Sequence, residues 1–190
     1  MTYVWLGAVL FGGLHLFSTL LPGQRNRLRD SIGEKAWKGG YSLLSLLGIV
    51  FFILAYRSMA EGSLGDLLYQ PWVQGKHLVM LLTLLMCILI GASHGKGYIK
   101  TFVRHPMSLG IALWSGGHLL VNGERALVWL FGTLFVVAIA DLIFSFARGK
   151  RPEHQPRIRS DIIAVLAGTV LFLILLLGFH PYVLGVPVVG

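Results

Sequence analysis

Two histidines, His105 and His118, interrupt the stretch VRHPMSLGIALWSGGHLLVNG, Val103 to Gly123, which otherwise has the composition of a membrane helix. Imidazole in hydrocarbon is costly, so ionisable groups at that depth are functional candidates by default. A third histidine, His15, lies in the apolar run FGGLHLFSTLLPG. Residues three and four apart share a helical face, which puts His15 on a stripe with Ala8, Gly12, Ser18 and Thr19. Small residues there would admit either a flat ligand or the backbone of a neighbouring helix, with His15 hydrogen-bonded across the interface. Spacing alone leaves both open.

His118 aligns with Ile111, Trp114, Ser115 and Asn122, whereas His105 falls roughly on the opposite face. One flat cofactor cannot easily use both. Beside Trp114 and the pair Gly116 and Gly117, His118 has the setting of an axial ligand to haem iron in a helical bundle, or of a buried, satisfied histidine. His94, His154, His77 and His180 fall at helix ends or in loops, positions that are usually solvated; His77 is kept as a possible substitute for His15 opposite His118. At ~1.5 Å per residue, His15 lies about 18 Å and His118 about 11 Å below the outer face. The offset of roughly 7 Å requires tilt of the helices or of the cofactor plane.

These residues need a scaffold. The chain has 190 residues, 55% of them apolar, and a mean hydropathy of +0.74, beyond the range of an ordinary soluble domain. It reads as one integral membrane domain, 1–190, all-α, with apolar runs at about 2–21, 39–57, 75–93, 105–121, 126–147 and 161–180. That is about six transmembrane helices. The first run has no Lys or Arg ahead of its apolar core and a poor cleavage site, and is read as a retained helix.

Thirteen of the sixteen basic residues lie in three polar segments: Arg25, Arg27, Arg29, Lys35 and Lys38; Lys96, Lys100 and Arg104; Arg148, Lys150, Arg151, Arg157 and Arg159. Only Arg57, Lys76 and Arg125 lie in the alternate connections. The positive-inside rule puts the first set in the cytoplasm and both termini outside. The net charge of +8 is spread between apolar runs and gathers on no soluble face, so membrane lipid headgroups, not nucleic acid, are the expected counter-charge. Residues 22–38 suit either a short helix lying at the headgroups or a solvated loop.

The short, glycine-rich fourth run should start near His105, because Pro106 is tolerated in a first helical turn. A tight turn at 121–125 would set positions summing to about 246 at one depth, bringing Asp141 level with His105. The expectation is that Asp141 pairs with His105 or Arg104, most simply as structural glue, with a proton relay as the less favoured role. Cys87, the single cysteine, sits in an apolar run and reads as a small buried side chain. No P-loop, G-x-G-x-x-G, H-E-x-x-H or C-x-x-C occurs.

At RHPMSLGIALWSGGHLLVNG the sequence resembles the NnrU family of bacterial membrane proteins, and the resemblance continues through GEKAWKGGYSLLSLLG, LHLFSTLLPGQR, PWVQGKH, Asp141, SDIIAVLAG and the closing HPYVLGVP. It implies a bacterial inner-membrane protein linked to nitric oxide and nitrite metabolism in denitrification. NnrU proteins are similar to zeta-carotene isomerase, a membrane enzyme that binds haem b. By motif its axial histidines fall on His15 and His118, so the resemblance implies haem b as cofactor; Ser115 and, by the helical spacing above, Gly12 and Trp114 would lie beside it. The isomerase has a cysteine where this chain has Ser115, and a hydroxyl does not replace a thiolate on iron. That departure weighs against a haem-dependent cis–trans isomerase acting on a carotenoid-like substrate. A third reading, an S-adenosylmethionine-dependent membrane methyltransferase, rests on RHPMSLG; the paired glutamates it would need are absent, with Glu124 and Glu153 far apart.

Overall fold

The computed structural model describes residues 1–60, 67–149, 151–186 and 188. The elements are α1 (Thr2–Leu20), α2 (Pro22–Ile32), α3 (Glu34–Ala60), α4 (Lys76–His94), α5 (Tyr98–Val103), α6 (Pro106–Val121), α7 (Arg125–Ala147) and α8 (Ile158–Leu184). Among the described residues five helices are long and apolar enough to cross a membrane: α1, α3, α4, α7 and α8. The fourth expected crossing is α6, a helix of 16 residues. It spans about 24 Å at ~1.5 Å per residue, short of a ~30 Å hydrocarbon core. Covered on two sides by α4 and α7, it does not have to reach across lipid by itself.

Packing runs from α8 to α4, α6, α7, α1 and α3, and the C-terminal end of α8 returns against α3. Close approach depends on glycine. A Cβ on Gly168 of α8 would lie 2.6 Å from the backbone of Ile88 in α4. The three basic segments meet at one end of the bundle: the Arg148 guanidinium donates to the Thr19 carbonyl at the end of α1, and Arg157 N–H to Lys96 O. Asp161 joins in there, accepting the backbone N–H groups of Tyr98 and Ile99 and so capping α5. His154, expected to be solvated, is half-buried in this network, against Thr101 and the Gly97 carbonyl.

At the opposite end, residues 67–72 close over the end of α6. Tyr69 donates to the carbonyls of Leu119 and Asn122, and Trp72 N–H to Leu120 O. The Asn122 amide takes the His118 carbonyl. Carbonyls that a helix end leaves orphaned are thereby satisfied.

Residues 22–32 form a helix, not a loop, begun by Pro22 at its first turn. His105 stands just before α6 as its N-cap, and Arg104 adopts a φ of 65°, the only positive φ outside glycine among the described residues, which turns the chain from α5 into Pro106. Two stretches depart from α-helical geometry into the wider π form: Ala8–Gly13 in α1 and Leu175–Leu184 at the end of α8. Such insertions recur at functional sites.

Candidate functional site

The π-helical turn of α1 ends just before His15, whose Nδ1–H donates to the Phe11 carbonyl at 2.8 Å. On α6, His118 makes the same contact with the Trp114 carbonyl at 2.9 Å. A carbonyl can only accept, so each Nδ1 carries a proton and, in the neutral imidazole, each Nε2 is left with its lone pair. That is the tautomer a metal ligand needs, and the second hydrogen bond fixes the ring's orientation.

Each ring packs against a phenylalanine, His15 stacked on its partner and His118 tilted against its own. His15 lies on Phe11 with centroids 4.1 Å apart, and His118 on Phe131 at 4.5 Å. Both phenylalanines belong to one apolar cluster with Leu127, Leu134, Ile111 and Trp114. The two imidazoles therefore border the same cluster from α1 and from α6.

Their surroundings differ. A cavity of about 270 Å³ opens beside His15, with Phe11, Ile111, Leu134, Val137 and Ala138 as apolar wall and Ser18, Thr19, Arg25, Tyr41, Ser108, Asp141 and Arg148 as polar wall. This lies just below the ~300–1,000 Å³ typical of ligand pockets. His118 is not among its lining. It sits instead among Trp114 and Phe131. His180, expected to be solvated, is half-buried in the π-helical end of α8, with its Nδ1–H on the Leu175 carbonyl. His77, by contrast, is exposed.

Asp141 meets hydroxyls that the sequence did not predict. Ser108 Oγ donates to it at 2.5 Å and Thr19 Oγ1 at 3.4 Å. Arg104 and His105, expected beside it, both lie against the ring of Phe146: the guanidinium is 5.9 Å from the centroid and the imidazole packs edge-on at 5.0 Å. The reason is geometric. Helical side chains lean towards their own N-terminus. Across an antiparallel pair this shifts the partner of any residue about a turn beyond its equal-depth neighbour, so Ser108 takes the place computed for His105.

Residues 3–188 match the NnrU protein family. The chain belongs to the NnrU family. No curated protein and no solved structure matches it.

Within this NnrU chain the other expected cofactor residues have packing roles on view. Gly12 faces α7, where a Cβ would lie 2.6 Å from Thr133 Cγ2. Ser115 is fully buried, its hydroxyl donating to the Ile111 carbonyl at 2.6 Å. Trp114 meets Phe131 edge-to-face and supplies the carbonyl that orients His118. Cys87 is buried and free, as expected. Among the described residues no group of three or more His, Cys, Asp or Glu could hold a bare metal ion.

Sequence reasoning missed Tyr41, Arg25 and Arg148 as cavity residues, and Ser108 as the partner of Asp141. Ser108 was within reach, since RHPMS places it three residues after His105; the others come together only through packing between separate helices.

Proposed function

We propose that this NnrU-family protein crosses the bacterial cytoplasmic membrane six times with both termini outside, and holds haem b through His15 and His118. The gathering of the basic segments at one end supports the orientation. Donor chemistry supports the ligand pair: both imidazoles have Nδ1–H committed to a carbonyl one turn back, which leaves Nε2 of the neutral ring unprotonated, and both pack against phenylalanines of one cluster between α1, α6 and α7. Flat apolar side chains beside imidazole are the surroundings a porphyrin face takes.

When bound, haem would supply one-electron redox chemistry. The chain's own part is to fix the two tautomers, exclude water on the His118 side with Trp114 and Phe131, and keep a carboxylate, Asp141, near His15. This reading places the protein in the nitrogen-oxide redox metabolism that the NnrU resemblance implies. The isomerase reading is less favoured, because Ser115 is buried with its hydroxyl turned to Ile111.

The test is an absorption spectrum of protein purified in detergent after haem supply. Wild type should give a sharp Soret band and split low-spin bands on reduction; His15→Ala and His118→Ala should lose the low-spin pattern, while His154→Ala keeps it. A colourless protein, or a spectrum indifferent to both substitutions, would remove the assignment.

A further inference from the structure

The cavity beside His15 does not end at its own wall. Ser18, Arg25 and Tyr41 also line a second cavity of about 350 Å³, completed by Trp37, Lys38 and Ser42 where α2 meets α3. Residues common to both join an apolar interior to a basic surface.

Two cations stand on this passage. Arg25 is held by the Asn26 side chain and the Ser18 carbonyl, and Arg148 by the Thr19 carbonyl at 2.9 Å. Among the described residues the ion pairs are Arg29 with Asp30 and Lys38 with Glu34, so neither Arg25 nor Arg148 has a carboxylate partner there. Asp141 spends its oxygens on Ser108 and Thr19. A guanidinium has five N–H donors, and those bonds leave donors over on both arginines. Two oriented guanidiniums against the one carboxylate of Asp141 leave this cavity with an excess of positive charge beside an apolar wall, which calls for an anion attached to an apolar body.

We propose that Arg25 and Arg148 hold the carboxylates of the tetrapyrrole, so that its anionic edge faces the basic end of the bundle and its apolar body faces Phe11, Ile111, Leu134 and Val137. This rests on the haem reading and adds the direction in which the cofactor sits. Arginine suits the task because its planar fork grips a carboxylate with two parallel bonds, and its charge persists at any physiological pH.

The test compares haem with haem dimethyl ester, which has the same iron and ring but no charged carboxylates. Each is titrated into the apoprotein in detergent and followed by the Soret band. Wild type should bind the free acid on the order of tenfold more tightly than the ester, as expected for charge-assisted hydrogen bonds. Arg25→Gln/Arg148→Gln should bind the two about equally. The wild-type comparison requires no substitution, so it decides even if the variant folds poorly. Equal binding by wild type would overturn the proposal while leaving haem binding intact. Equal binding together with loss of retained phosphatidylglycerol in the variant would assign the cations to a phospholipid head group and overturn it too. Binding of neither porphyrin would overturn the haem reading, and this one with it.

Discussion

His15 and His118 have the same local geometry in opposite settings. Around His118 the packing is apolar and dry: Trp114 and Phe131 flank the ring, Ser115 spends its hydroxyl on its own helix, and the carbonyls of His118, Leu119 and Leu120 at the end of α6 are taken. Around His15 there is a cavity, a carboxylate, three hydroxyl side chains, a phenol and two arginines. A helix orients an imidazole through the carbonyl four residues back almost anywhere; what the residue can do is set by what the other helices bring to Nε2. The dry side serves to anchor. The polar side is where a ligand can enter and a proton can be held.

Breaking the dry side should be the more damaging. Phe131→Ala removes a buried ring from the cluster and should cost roughly 3–5 kcal/mol, seen as a large fall in the detergent melting temperature. Asp141→Asn acts on the polar side, where the cavity lets neighbours relax. Its loss of charged hydrogen bonds to Ser108 and Thr19 should cost about 1.5–3 kcal/mol. If Asp141→Asn proved more destabilising than Phe131→Ala, the contrast between the two regions would be reversed.

Tyr69→Phe should be smaller, about 0.5–1.5 kcal/mol, for one O–H shared between two carbonyls on an exposed loop. It also carries a pH signature. Burial and the nearby Glu124 push the Tyr69 phenol above its usual value, so the folded state favours the protonated, donating form. Its contribution is therefore fully present below pH ~10 and is lost as the pH rises through the folded value. Melting curves of wild type should drop in alkali by more than those of Tyr69→Phe; parallel curves would mean the phenol does not fasten this loop.

Much of the framework could be read directly. Apolar runs at 2–21, 75–93 and 126–147 became Thr2–Leu20, Lys76–His94 and Arg125–Ala147, because hydrocarbon length and helical rise leave little freedom. Pro106 marked the start of α6 for the reason proline always can. Depth alone did not give the contacts of Asp141, since equal depth ignores the lean of side chains along each helix. The π-helical turns before His15 and around His180 leave no mark in hydropathy. Nothing in the sequence marks Asp161 as the cap of α5, since Tyr98 and Ile99, whose N–H groups it accepts, lie more than sixty residues away. Arg25 and Arg148 counted as topology signals, and their shared cavity exists only once α1, α2, α3 and α7 are assembled.

The most direct test of the shared-iron claim is rescue by free imidazole. His15→Gly and His118→Gly, loaded with haem in detergent, should each give a high-spin spectrum that returns to low spin as imidazole is added, with His15→Gly responding at lower concentration because its Nε2 opens on a cavity. A low-spin spectrum that persists unchanged in His118→Gly, or that is lost in His180→Gly and restored there by imidazole, would contradict the account.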